Sequence, residues 1–135
     1  MDLAKIVGKS VASAEVAEFE SLMGEAPKKD PKPLRADRIH WSYVRKNIEV
    51  LIDLKSNRIS TVFVAPSAEG SAVEGLRYPL SFSMSRDAVR RAIGRAPDAS
   101  KDDPRYDVWE EGDHKLRVEY VLDFSAIKLV VLMAA

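Results

Sequence analysis

The chain has 135 residues, 46% of them hydrophobic and 31% charged, which is typical of a folded domain and too apolar for a disordered one. It has no cysteine, which excludes disulfides, thiolate metal sites and cysteine nucleophiles. Its 21 basic and 21 acidic residues balance, so no overall charge attracts nucleic acid. No segment has the roughly 20 apolar residues of a membrane span and no signal-peptide pattern is present, so we expect no membrane association and a cytoplasmic location.

The first predicted elements are a helix and three strands. Ser13 can cap a helix that ends at Gly24, because serine side chains accept backbone N–H groups at helix starts and glycine adopts the conformation that closes a helix. A polar, proline-containing loop at residues 28–37 follows. Alternating apolar residues with short polar breaks then predict strands at residues 38–45, 48–54 and 59–65.

The second half of the chain repeats this order. A helix is predicted between Ser85 and Gly94, then a loop at residues 98–104. Strands are predicted at residues 105–110, 114–122 and 126–133. The motif Gly24-Glu25-Ala26-Pro27 recurs as Gly94-Arg95-Ala96-Pro97, and a shift of 68 residues places Trp41 on Trp109. We therefore predict one domain, residues 1–135, with repeats at residues 1–65 and 80–135 and a linker at residues 66–79.

The predicted fold class is α+β, an antiparallel sheet of about six strands from two helix–three-strand repeats, with the helices packed on one face. One helix and three strands cannot cover their own apolar side, so the repeats are expected to share a sheet. The second face is partly apolar. It is therefore a candidate for being covered by the other repeat, by a homodimer partner or by a ligand protein. The residues predicted to point to that opposite face are Leu51, Val62, Val64, Val121, Val130 and Leu132.

Common catalytic and cofactor patterns are missing from the sequence. The glycine-containing segment at residues 70–75 has neither the P-loop lysine nor the dinucleotide-binding spacing. His40 and His114 are the only histidines, and no cysteine or second histidine lies at a zinc-ligand spacing from either. Asp113 and Ser125, near His114, fall in turns and strand ends rather than in a triad arrangement. We therefore predict that the chain is not an enzyme and that it needs no cofactor and no metal.

Charge is distributed unevenly along the sequence. Residues 28–46 hold seven basic and two acidic residues, whereas residues 102–123 hold three basic and eight acidic ones. The basic stretch, with Arg86, Arg90 and Arg91 on the second helix, suits the phosphates of a single-stranded nucleic acid. Zero net charge and the acidic second half argue against that partner. A nucleic-acid or regulatory binding module therefore stays the alternative reading.

Acidic residues around a tryptophan predict a protein interface in the second half. Aromatic anchors ringed by charge are typical of tight protein interfaces, and opposite charge speeds association with a basic partner. The predicted partner-binding residues are Asp102, Asp103, Asp107, Trp109, Glu110, Glu111 and Asp113, together with Trp41 and Tyr43 of the first repeat.

The repeated unit, a serine-capped helix with a Gly-x-x-Pro end followed by a three-stranded meander, resembles the module of the β-lactamase-inhibitor-protein and SmpA/OmlA type, which binds other proteins. The segments LAKIVGKS (residues 3–10), PLSFSMS (79–85) and IKLVVLM (127–133) also resemble small bacterial proteins encoded beside polymorphic or contact-delivered toxins. No secretion signal or lipoprotein cysteine precedes the unit, which argues against the outer-membrane and secreted branches. The resemblance implies a cytoplasmic immunity protein that binds and neutralises one cognate toxin.

Overall fold

The computed structural model describes residues 1–30, 37–67 and 72–135. The two α-helices of the described residues are α1 (Ala14–Met23) and α2 (Arg86–Ile93), and short 3-10 helices lie at Leu3–Lys5 and Val44–Lys46. The strands of the same residues are β1 (Lys28–Lys29), β2 (Arg38–Tyr43), β3 (Ile48–Asp53), β4 (Arg58–Val64), β5 (Ala99–Asp102), β6 (Arg105–Glu110), β7 (His114–Tyr120) and β8 (Ile127–Ala134). Parts of the predicted first loop, residues 31–36, and of the predicted linker, residues 68–71, lie outside the described residues.

All these strands form one antiparallel sheet in the order β1-β2-β3-β4-β8-β7-β6-β5. Each half of the chain contributes a four-stranded meander, and the two meanders join where β4 pairs with β8. The predicted architecture, about six strands with helices packed on one face, is therefore wrong: the described residues form an eight-stranded sheet with only two α-helices.

The two strands that the sequence did not reveal lie at the two edges of the sheet. β1 consists of two exposed lysines, and all four residues of β5 are exposed. Hydrophobic alternation detects only strands that bury one face, so it cannot detect these. Short, charged edge strands prevent a sheet from pairing with other chains, which explains their composition.

The helix boundaries were predicted correctly. The Ser13 hydroxyl accepts a hydrogen bond from the Val16 N–H at the start of α1, and Ser85 caps α2 in the same way. Gly24 and Gly94 end the helices with φ of 67° and 85°, in the left-handed region that glycine adopts without strain. Local signals of this kind act within a few residues, so the sequence displays them directly.

One face of the sheet, the core face, carries the hydrophobic core. Val50, Val62, Val118 and Val130 lie at its centre with at most 1% of their surface exposed. Each such buried side chain stabilises the fold by about 1.5–3 kcal/mol. Besides further strand residues, the cluster contains large buried residues from the N-terminal segment, the α-helices and the segment before α2, which include Leu3, Ile6, Val16, Phe19, Met23, Leu80, Phe82, Val89 and Ile93.

A β-bulge in each half decides which residues face the core. The register of β3 with β4 shifts between Leu51 and Ile52, leaving Ser60 without an opposite residue, and the same shift between β7 and β8 leaves Lys128 unpaired. One extra residue reverses the alternation of all that follow it. The residues predicted for the opposite face that belong to the core for this reason are Val62, Val64, Val130 and Leu132.

The two tryptophans do not occupy matching positions. Trp109 pairs with Leu116, and the residue 68 positions before Leu116 is Ile48, which pairs with Tyr43. Tyr43 rather than Trp41 therefore takes the place of Trp109. The hairpin after Trp109 is two residues longer than the hairpin after Tyr43, so the shift of 68 fails in the strand before it. The matching strand order gives the internal repeat weak support, and the duplication itself stays a prediction.

The bulge places Val62 in the core, and this placement can be tested. We expect Val62→Asn to lower the free energy of unfolding by about 2–4 kcal/mol, because it buries an amide without hydrogen-bond partners. Leu129→Asn, at a half-buried position on the other face, should cost about 1 kcal/mol or less. Urea unfolding measures both values. Equal losses at the two positions would contradict the assignment.

Candidate functional site

The second face of the sheet, which we call the open face, is formed by the strand residues that alternate with the core-facing residues. Side chains of a strand point alternately to its two faces, so neighbours of the core valines point away from the helices. One row of paired residues, the central row, crosses the open face through all the strands: Lys28, Ser42, Glu49, Phe63, Val131, Arg117, Val108 and Ala99.

The open face is partly apolar and aromatic. Phe63, Tyr106, Val108, Leu129 and Met133 are all half-buried there. The large buried side chains of the described helices belong to the core cluster, so they do not cover this face. A pocket of about 280 Å³ lies beside the hairpin between β2 and β3, and its lining includes Glu49, Phe63 and Leu129 of this face. Aromatic residues, methionine and arginine are the types enriched at protein interfaces.

Each half of the open face also carries a pair of ionisable side chains beside an aromatic ring. In the second half, the Arg117 guanidinium lies 3.9 Å from the Tyr106 ring centre. The Arg117 Nε is 3.3 Å from a Glu119 oxygen but is buried without a hydrogen-bond partner among the described residues. In the first half, His40 Nε2 lies 3.1 Å from Glu49 Oε2. The face therefore combines apolar contact area with charges that are partly exposed.

The predicted acidic interface is divided between the two ends of β6. Asp102 and Asp103 lie at the turn before this strand, whereas Glu110, Glu111 and Asp113 lie at the hairpin after it. A strand of this length separates its ends by roughly 17 Å. The structure therefore does not bring the predicted carboxylates together into one patch.

Most of these carboxylates already have partners within the chain. Exposed pairs of this kind add little stability, but they reduce the charge that is offered to another molecule. A hydrogen bond with His114 is the main cause that lowers the pKa of the Asp113 carboxyl. The pairs are Asp102 with Arg86 at 3.1 Å, Glu110 with Lys115 at 3.7 Å, Glu111 with Arg95 at 3.4 Å and Asp113 with His114 at 2.8 Å.

Asp107 lies in the core rather than on a surface. Its carboxylate accepts hydrogen bonds from Arg90 Nε and Nη2 at 2.9 and 2.8 Å and from the Tyr120 hydroxyl at 3.0 Å. Burial, the largest influence, would raise the pKa of Asp107, but the hydrogen bonds, led by those from Arg90, outweigh it and lower the pKa. Burial is also the main cause that raises the pKa of Tyr120. This network joins α2 to β6 and β7, so it holds the fold together.

Trp109 and Tyr43 are core residues as well, with 0% and 1% of their surface exposed. The Trp109 indole N–H donates to the Arg95 carbonyl at 3.1 Å, and the Tyr43 ring packs edge-on against Phe19 with 5.2 Å between ring centres. Burial, and then the charge of Glu20, raise the pKa of Tyr43 to about 12. A partner cannot reach either side chain while the chain is folded.

Trp41 is the one aromatic of the predicted set that reaches the surface. It is half-buried, and the Lys29 amine lies 4.2 Å from its ring centre. Sequence reasoning missed Phe63, Tyr106 and Arg117, although all three lie inside predicted strands. The signal that could have found them is an aromatic or charged residue at the positions that alternate with the core valines, and reading it requires knowledge of the bulges.

The arginines predicted to bind nucleic acid are mostly held within the chain. Arg86 contacts Asp102 at 3.1 Å and lies 4.1 Å from the Phe124 ring centre. Arg90 is bound to Asp107, as described above. Lys32 and Arg35 of the predicted basic stretch lie outside the described residues. The second helix therefore offers less positive charge to a nucleic acid than the alternative function requires.

Residues 1–30, 37–67 and 72–135 contain neither a group of metal ligands nor a helix that could span a membrane. No three histidine, aspartate or glutamate side chains are grouped as the ligands of a metal ion would be. Neither α1 nor α2 has the length and apolar character needed to cross a membrane.

Comparison with known proteins identifies a similar fold. No protein family matches the chain, and no curated protein matches it. Among solved structures, a cysteine-rich secretory protein from Staphylococcus aureus subsp. aureus Mu50 is similar over 99% of this chain, with a TM-score of 0.59 and 15% sequence identity. The chain spans 46% of that protein's chain. At this identity the similarity concerns the fold alone.

The Asp107 network predicts a pH-dependent loss of stability. We expect Asp107→Asn to lower the free energy of unfolding by about 2–4 kcal/mol near neutral pH, because it leaves the Arg90 guanidinium beside a neutral amide. The lowered pKa of Asp107 means that its stabilisation is complete above the ordinary carboxyl pKa of about 4 and is lost as pH falls through the folded-state value.

Urea unfolding from about pH 7 to about pH 3 should therefore show the wild-type and Asp107→Asn stabilities converging in acid. The matched control is Asp103→Asn at an exposed turn, which should change the stability by less than about 0.5 kcal/mol. A difference between wild type and Asp107→Asn that widens in acid would contradict the role given to this carboxylate.

Proposed function

We propose that the chain is a non-catalytic protein-binding domain that neutralises a cognate bacterial toxin in the cytoplasm by covering part of the toxin with its open face. The observation that carries the proposal is the open face itself, a sheet surface with half-buried Phe63, Tyr106, Leu129 and Met133. Large apolar surfaces that a fold leaves uncovered mark binding sites. The resemblance to toxin-associated immunity proteins supplies the class of partner.

The size of the open face supports a protein rather than a small molecule as the partner. Eight strands at their usual spacing span roughly 34 Å, and with strands about 17 Å long the face covers roughly 600 Å². A typical stable interface buries about 800 Å² on each partner. Contacts from the loops at the rim would supply the remainder.

The exposed carboxylates at the rim support a basic toxin as that partner. Glu110 and Asp113 lie at one end of β6, and Asp103 lies at the other. Charges at the rim of an interface act mainly on the association rate and weakly on the affinity. The acidic residues predicted from sequence are therefore proposed to steer the toxin, while the open face binds it.

Binding through the open face can be tested with Phe63. The probe is the purified product of the neighbouring reading frame, which the proposal predicts to be the toxin. We expect Phe63→Arg to weaken its binding at least about 100-fold, because the substitution places a charge at the centre of the interface. Leu22→Arg is the matched control, since Leu22 is 52% exposed on α1. Calorimetry measures both affinities. Unchanged binding by Phe63→Arg, with its melting temperature preserved, would reject the proposal.

Steering by the rim can be tested separately. We expect the double variant Glu110→Lys/Asp113→Lys to slow association with the same toxin at least about tenfold at low salt, with little change in the dissociation rate. Glu111 is left unchanged because its carboxylate accepts a hydrogen bond from the Tyr78 hydroxyl at 2.7 Å. Stopped-flow mixing at several salt concentrations measures the rates. An association rate that is insensitive to these charges would show that they do not steer the toxin.

A further inference from the structure

The central row of the open face has opposite charges at equal distances from its middle. Phe63 and Val131 pair with each other where the two meanders join. Glu49 lies one strand beyond Phe63, and Arg117 lies one strand beyond Val131. Their side chains are 47% and 28% exposed, so both charges are accessible from outside the sheet.

Glu49 and Arg117 of one chain are too far apart to contact each other. Three strand spacings separate β3 from β7, which is roughly 14 Å. Phe63 and Val131 stand between them in the row. Within the chain Glu49 lies beside His40 and Arg117 lies beside Glu119, at 3.1 and 3.3 Å, and the exposed part of each side chain can meet a group of opposite sign on another molecule.

A second copy of the chain presents those signs at those places. Turning one sheet over about a two-fold axis parallel to its strands places Phe63 over the partner's Val131 and Glu49 over the partner's Arg117. The other positions of the row also avoid like charges, with Ser42 over the partner's Val108 and Lys28 over the partner's Ala99. Packed sheets lie about 10 Å apart, within the combined reach of a glutamate and an arginine side chain.

The other in-plane axis is electrostatically unfavourable. A two-fold axis along the row, perpendicular to the strands, would place Glu49 over the partner's Glu49 and Arg117 over the partner's Arg117. Like charges brought together in a partly desolvated interface cost several kcal/mol. The charge pattern thus selects the axis parallel to the strands.

We infer that the free protein forms a homodimer in which two open faces pack against each other about a two-fold axis parallel to the strands. Dimerisation would regulate toxin binding, because the toxin must displace the second copy from the same face. That regulatory role rests on the proposed function. The dimer itself does not depend on what the toxin is.

The charge pair gives a test that a purely structural effect cannot imitate. We expect Glu49→Arg and Arg117→Glu each to raise the dimer dissociation constant at least about tenfold, because each places like charges opposite one another twice in the dimer. The double variant Glu49→Arg/Arg117→Glu restores opposite charges across the two-fold axis and should return the constant to within about threefold of wild type. The matched control is Glu18→Arg on α1, which should leave it unchanged.

Sedimentation velocity from about 1 to about 100 μM measures these constants, and thermal melting confirms that each variant is folded. If a single variant unfolds, Phe63→Lys provides a second test, since it should yield a folded monomer. A wild type that is monomeric at the highest concentration, or a double variant no better than the single variants, would overturn the inference. A dimeric wild type that binds no toxin would keep the dimer and remove the proposed function.

Discussion

The rest of the structure depends on the pairing of β4 with β8, which joins two four-stranded meanders into one sheet. This pairing brings Val62 and Val64 beside Leu132 and Val130, so the two halves share one core. The same pairing sets Phe63 beside Val131 at the middle of the other face. Because the helices bury their apolar residues on the core side, they do not cover this second face.

The sequence contained enough information for the helix ends and for the strands that bury apolar residues. Ser13 and Ser85 cap the helices as predicted, because capping acts over three residues and needs no tertiary contact. The edge strands could not be predicted, since β1 and β5 bury no apolar face. The bulge opposite Leu51 and Ile52 could not be predicted either, because it depends on the register with a neighbouring strand.

The candidate site was predicted less well for a related reason. Residues 102–113 are close in sequence, but the strand between the two turns moves their charges apart, and α2 supplies an arginine to Asp107 in the core. The open face draws its residues from distant strands, so Phe63 and Arg117 come to lie in one row, on either side of Val131, only through the β4–β8 pairing. A site of that kind follows from topology, which composition and charge runs do not contain.

The central claim is that the open face, rather than the helix side, contacts other molecules. Solvent paramagnetic relaxation of side-chain methyl groups tests it most directly, in the dilute protein and again with a saturating partner, either the toxin or excess chain. The account predicts that the methyl groups of Leu129 and Met133 lose solvent contact on binding, while the exposed Leu22 and Leu122 keep theirs. Protection of Leu22 with Leu129 and Met133 unchanged would contradict it.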